Sequence, residues 1–175
     1  TATGVIGILF KDTVELAGTM LIVPGICLLI TSVFLVIADY ADEGTKRPRE
    51  ASYVNAGLIG VAQGIATMPG LSRSGTTITA CLLCGFEKKF AVKYSFIMSI
   101  PAVLGAVVLE LKDVAKAPLQ ASAVPACAVA TVISAIVGYL SICIMMRLIQ
   151  GKKYKIFAVY CAIVGLITVG YGIFR

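Results

Sequence analysis

One stretch of this sequence gathers residue types that bind anions: Pro69-Gly70-Leu71-Ser72-Arg73-Ser74-Gly75-Thr76-Thr77. Arg73 offers a planar guanidinium whose fork matches two oxygens of a phosphate group. Ser72, Ser74 and Thr77 add hydroxyls, while Gly70 and Gly75 allow close backbone approach and positive φ. A short helix-like run over residues 76–85 follows, opening at Thr76. Its first N–H groups would point into the loop, where the helix dipole favours negative charge. Gln63, upstream on an apolar arm, could add an amide. A plainer reading has Ser and Thr capping the helix, which suits one or two of these hydroxyls.

Other polar residues are weaker candidates. Asp12 and Glu15 are three apart and would share a helix face able to hold a cation, but they also read as a solvated helix start. Glu110 and Asp113 repeat that spacing at another helix end. Tyr94 and Ser95 could line a cavity, though no pattern in the sequence says so. Cys27, Cys81, Cys84, Cys127, Cys143 and Cys161 all lie in apolar segments. The Cys81-x-x-Cys84 spacing is half of a zinc site without a second half, since no second pair and no His is present. These cysteines read as small packing residues between helices, and no metal-ligand set is assigned.

Composition says what must position the loop. Of 175 residues, 59% are hydrophobic and only 14% charged, against roughly 25% charged in a soluble domain. A single soluble core cannot bury that much apolar surface, whereas a bilayer accommodates it. The net charge of +6 comes from short basic clusters between apolar runs. That is the pattern of loops facing cytoplasm and anionic headgroups, not of a nucleic-acid-binding face.

Four runs reach the length of about 20 residues that a membrane span requires: residues 15–38, 91–111, 123–148 and 156–174. Pro24 and Pro101 fall inside two of them and predict kinks. Residues 53–86 behave differently, being weakly hydrophobic before the loop and short after it. They form either one broken span or a re-entrant hairpin that enters and leaves by the same face. Charge placement favours the hairpin. It puts Lys46, Arg47, Arg49, Lys88, Lys89, Lys93, Arg147, Lys152, Lys153 and Lys155 on one side, and Lys11, Lys112, Lys116 and Arg175 on the other. Ten against four is a positive-inside bias; the broken span divides the same residues without one. The C-terminus then lies on the non-cytoplasmic side. Arg73 stays at membrane depth in both arrangements. There an ionisable side chain implies a function, unless it snorkels to the interface.

The segment Pro69-Gly70-Leu71-Ser72-Arg73-Ser74-Gly75-Thr76-Thr77-Ile78 closely resembles the second signature of the undecaprenyl-diphosphatase family of bacteria, also known as bacitracin-resistance proteins. Leu71 and Thr76 stand where that family more often has Thr and Ala. The resemblance runs along nearly the whole chain. It includes Leu9-Phe10-Lys11-Asp12-Thr13-Val14-Glu15, Ile59-Gly60-Val61-Ala62-Gln63-Gly64 and Phe96-Ile97-Met98-Ser99-Ile100-Pro101-Ala102-Val103-Leu104-Gly105.

That resemblance implies an all-α polytopic membrane protein with about four full spans and one re-entrant hairpin, the second half of an inverted-repeat fold whose two hairpin tips meet in one pocket. Residues 1–175 then form a single transmembrane domain, with the hairpin at 53–86. The implied reaction is hydrolysis of undecaprenyl diphosphate to the monophosphate at the outer face of the cytoplasmic membrane. This recycles a lipid carrier for cell-wall synthesis and confers bacitracin resistance. The resemblance also implies a divalent cation, Mg or Ca, and a homodimer as a possible assembly. It makes Arg73 the phosphate binder, Ser72, Ser74 and Thr77 its supporting donors, and Gln63 the counterpart of a pocket carboxylate in the other repeat. The family's first repeat, with its Glu pair, Ser and His, is not in this sequence. Because the chain opens on Thr1 within what reads as a helix tail, a longer protein is expected, active where this portion alone would not be. The rival expectation is a polyprenyl-phosphate or anion transporter, which shares the broken-helix, midplane-site pattern. A non-catalytic module of a larger complex is a third.

Overall fold

The computed structural model describes residues 4, 6, 9, 11–41, 44–116, 124–150 and 154–174. Among them the chain forms seven α-helices, a 3-10 turn at Pro48–Glu50, and one isolated bridge between Lys46 and Phe86. The helices are α1 (Lys11–Thr19), α2 (Ile22–Tyr40), α3 (Tyr53–Ile65), α4 (Arg73–Leu83), α5 (Lys88–Lys116), α6 (Val124–Gln150) and α7 (Tyr154–Phe174). Four of them (α2, α5, α6 and α7) are long and apolar enough to cross a bilayer. The all-α polytopic membrane architecture expected from hydropathy is the one observed. The side chains of the acid pairs Asp12/Glu15 and Glu110/Asp113, and of the loop cations Lys112, Lys116, Lys152, Lys153 and Arg175, lie outside the described residues.

The first expected span, residues 15–38, is two helices. α1 stops at Thr19 and α2 begins at Ile22. In an unbroken helix Pro24 would lack an N–H to donate, and its ring would collide with the carbonyl of Met20. In the first turn of α2 it loses nothing, because N–H groups there have no helical partner. Thr19 Oγ1 donates to the Leu16 carbonyl at 2.7 Å, satisfying one of the acceptors left open where α1 ends. Pro101 lies within α5, which continues through it.

α3 and α4 make a helical hairpin whose start, tip and base all have identifiable causes. Ser52 caps α3, its hydroxyl accepting from Asn55 N at 3.2 Å. Ser72 caps α4 in the same way, accepting from Gly75 N at 3.1 Å. That cap starts α4 at Arg73, three residues before the expected Thr76. Gly75 therefore sits in the helix, and of the two glycines expected to supply positive φ only Gly70 does so, at φ 88°. α4 ends in a Schellman turn: Gly85, at φ 84°, donates to Leu82 O at 2.8 Å, and Phe86 N donates to Cys81 O at 3.2 Å. The chain leaving α4 then pairs with the chain approaching α3. Lys46 N donates to Gly85 O at 3.0 Å, and Glu87 N to Lys46 O at 3.3 Å. Entry and exit of the hairpin thus lie side by side.

The buried core surrounds α4 and the base of the hairpin, with Leu35, Ala38, Ile59, Ile78, Cys81, Leu82, Phe86, Ala91, Val92, Tyr154 and Ala158 in one cluster. α2 and α7 approach closely because glycine faces the contact. A Cβ on Gly25 would meet Val169, and one on Gly165 would lie 3.0 Å from the Gly25 carbonyl. Ser32 Oγ donates across the same interface to Ala158 O at 2.7 Å. At its end Lys155 Nζ lies 3.7 Å from Asp39 Oδ2 and over the Tyr40 ring. α6 is the exception, for no residue of Val124–Ile144 is buried.

Candidate functional site

The segment between α3 and α4 is fastened along the first half of α2, from Pro24 to Thr31. Gly70 lies against the backbone of Pro24, where any side chain would collide with the Pro24 carbonyl. Thr31, 1% exposed, accepts from Ser72 N at 2.9 Å and donates to Cys27 O at 3.0 Å, with Gly70 O at 3.4 Å as a second acceptor. One turn further along α2, the Phe34 carbonyl accepts from Thr79 Oγ1 at 3.0 Å. From the opposite side Ser95 of α5 hydrogen-bonds the Thr77 hydroxyl.

These attachments divide the expected site residues into two groups. Ser72 Oγ is engaged as the helix cap. Thr76 Oγ1 donates to Ser72 O at 2.9 Å. Thr77 is fully buried, its hydroxyl within reach of Arg73 O at 2.9 Å and of Ser95 Oγ. Gly75 is buried beneath the cap, with Ser72 Oγ 3.1 Å from where a Cβ would stand. The Arg73 guanidinium, the Ser74 hydroxyl, and the backbone N–H groups of Arg73 and Ser74 have no partner among the described residues. Both side chains are half-buried. One guanidinium, one hydroxyl and two helix-opening amides thus remain available from consecutive residues, a donor set suited to a tetrahedral oxyanion.

Gln63, on the last turns of α3, is 2% exposed and its Oε1 has no hydrogen-bond partner among the described residues. Such an orphaned buried acceptor is unusual in a folded protein. No hydrogen bond joins it to Arg73 or Ser74. An open, mostly apolar groove of about 430 Å³ is lined by Ser74 of α4 together with Phe96, Ser141, Ile142, Ile144 and Phe157 of α5, α6 and α7.

A divalent cation finds no ligand set here. Among the described residues no three His, Cys, Asp or Glu side chains converge, and the charge at the loop is that of Arg73. The Cys81-x-x-Cys84 pair is free thiol, with Cys81 buried in the core.

Two residues that hold this segment, Thr31 and Ser95, have little or no signature in the sequence. Thr31 carried no signal beyond being one of two adjacent hydroxyl residues, with Ser32, inside an apolar run. Ser95, a candidate cavity residue by sequence, is buried and hydrogen-bonds the Thr77 hydroxyl.

The sequence profile described as bacitracin resistance protein BacA matches residues 1–167. An undecaprenyl-diphosphatase of Methanosphaera stadtmanae is 41% identical over 169 residues, covering 95% of this chain and 59% of that protein. Its namesake in Halothermothrix orenii is 39% identical over 167 residues, covering 95% and 64%. That of Methanobrevibacter smithii is 42% identical over 167 residues, covering 94% and 59%. The chain thus spans about three fifths of the length of these curated relatives. With the profile match covering nearly its whole length, and a helical hairpin presenting Ser72-Arg73-Ser74 at its tip, this chain belongs to the bacitracin resistance protein BacA family.

Proposed function

We propose that the protein carrying this chain hydrolyses a polyprenyl diphosphate, undecaprenyl diphosphate by the names of its relatives, to the monophosphate. Residues 69–77 hold the phosphate to be released. The observation that carries this reading is the set of unengaged donors at the start of α4: the Arg73 guanidinium, the Ser74 hydroxyl and two adjacent amides. Ser72, Thr76 and Thr77 shape the loop through their internal hydrogen bonds and so act behind the phosphate contacts. Gly70 and Gly75 let the backbone close up, and Gln63 of α3 is kept as a substrate-side residue whose side-chain NH2 can donate to a phosphate oxygen.

In the reaction, water adds to the terminal phosphorus and the bond to the bridging oxygen breaks, leaving the lipid monophosphate and inorganic phosphate. Charge grows on the bridging and terminal oxygens, and fixed donors in a water-poor site stabilise such charge most strongly. Arg73 offers five N–H donors and no acceptor, so it neutralises and orients but does not abstract a proton. The apolar groove that Ser74 helps to line is the path for the first part of the isoprenoid tail. The divalent cation expected of such a phosphatase would draw its ligands from outside the described residues.

Residues 53–86 form the re-entrant unit of the membrane domain in this reading. The pairing of Lys46 with Gly85 supports entry and exit at one face, and attachment to Thr31 supports a tip at mid-depth. The basic face is cytoplasmic, the pocket opens toward the outer side of the cytoplasmic membrane, and the biological consequences are carrier recycling for cell-wall synthesis and bacitracin resistance. Homodimer formation belongs to the same reading and is measurable by mass in detergent.

The test is phosphate release from a detergent-solubilised polyprenyl diphosphate by the full-length protein. Arg73→Ala should lower the rate by about 100- to 1,000-fold, the usual loss on removing a transition-state donor, with the thermal midpoint unchanged. Near-normal turnover in that variant would sink the assignment. Uptake of the lipid phosphate into vesicles without any hydrolysis would favour the transporter.

A further inference from the structure

We infer that Thr31 of α2 is a positioning residue for the phosphate-holding loop, setting where Arg73 and the free amides point. This rests on the function proposed above and adds to it a group from outside the Ser-Arg-Ser segment.

The hydroxyl of Thr31 is the only acceptor for the N–H of Ser72 among the described residues. Its proton goes to Cys27 O or Gly70 O, the second of which belongs to the same tip. A single hydroxyl acts in both directions, as its one donor and two acceptor sites allow. Ser72 is the cap that begins α4, so its placement fixes the residues immediately following it, Arg73 and Ser74. With Thr31 1% exposed, water cannot replace the lost acceptor if the hydroxyl is removed, and the Ser72 N–H must seek another partner. Any such search moves the cap. Displacement of a reacting group by about 1 Å is enough to cost about a hundredfold in rate.

Hydroxyl and shape can be separated at this position. Thr31→Val keeps the branched shape and loses the hydroxyl, whereas Thr31→Ser loses a methyl and keeps the hydroxyl. A packing role predicts that Val is the milder change; a positioning role predicts the reverse.

The measurement is steady-state phosphate release by the full-length protein in detergent, with thermal midpoints recorded for each variant. Thr31→Val should lower kcat by about 10- to 100-fold while KM for the lipid, governed by the tail, stays within about threefold. Thr31→Ser should stay within about threefold of the parent on both. Should Thr31→Val not fold, Thr31→Cys, whose sulfur is a weak acceptor, should give an intermediate kcat. Parental kcat in Thr31→Val, or in Thr31→Cys where that is the variant measured, overturns the inference. So does a Ser variant that loses as much as the Val variant. Arg73→Ala measured alongside separates the two claims. If Arg73→Ala is inactive and Thr31→Val is normal, only the role of Thr31 fails. If Arg73→Ala is normal, the phosphate-site reading fails with it.

Discussion

α4 and α6 distribute polarity in opposite ways. α4 carries three threonines, all buried, and every buried polar residue described lies on it or on an element packed against it: Thr31, Gln63, Thr76, Thr77, Thr79 and Ser95. α6 is almost entirely apolar, yet none of its Val124–Ile144 stretch is buried. In water this would be an inverted protein. In a bilayer the hydrocarbon accepts apolar side chains at no cost, so hydrophobicity no longer reports burial. Hydroxyls bonded to neighbouring backbone do the locating instead, and the fixed part of the molecule is its polar part.

That contrast can be broken at several points. The largest stability effect is expected at Gly70→Ala, which forces a side chain into positive φ and against the Pro24 carbonyl. A loss of at least about 2 kcal/mol should appear in thermal unfolding, since the left-handed conformation alone costs 1–2 kcal/mol. Next comes Thr77→Val, which removes one partner of the buried Thr77–Ser95 pair. About 1–2 kcal/mol is expected from the unsatisfied hydroxyl left behind, and Ser95→Ala combined with it should cost less than the two single changes added together. Smallest is Ile133→Ala on α6, 56% exposed, with less than about 0.5 kcal/mol. A loss several times larger in the full-length protein would show that this face of α6 is covered by protein rather than lipid, and the contrast would shrink accordingly.

The apolar spans and the Gly-, Ser- and Arg-rich loop were legible in the sequence because each rests on a local signal, either a run of apolar residues or a dense cluster of Gly, Ser and Arg. The pairing of Lys46 with Gly85 brings the chain before α3 beside the chain after α4; that both lie at one membrane face is the expectation from charge bias and belongs to the function proposed above. Less local features were not legible. The break before Pro24 depends on whether a proline falls in a helix interior or its first turn, and hydropathy does not mark that boundary. The start of α4 at Arg73 depends on which of several hydroxyl residues takes the capping role. The docking of Ser72 on Thr31 joins residues 41 positions apart, and a threonine in an apolar run looks the same whether it bonds its own helix or another segment. The adjacent Thr31-Ser32 pair was the one available hint; Thr31 holds the loop and Ser32 holds α7.

Thr31 also acts as a depth gauge. It is the tenth of the nineteen residues of α2, so at about 1.5 Å per residue it stands roughly 14 Å from either end of that helix. With α2 crossing the bilayer as in the function proposed above, a charge that reaches Arg73 has to descend that far, shedding water on the way, which is costly for a free ion. A phosphate on a hydrocarbon chain already has its anchor at that level. Moving the docking hydroxyl by one helical turn would shift the tip by about 5.4 Å, which in the proposed reading changes which part of an embedded lipid the site meets.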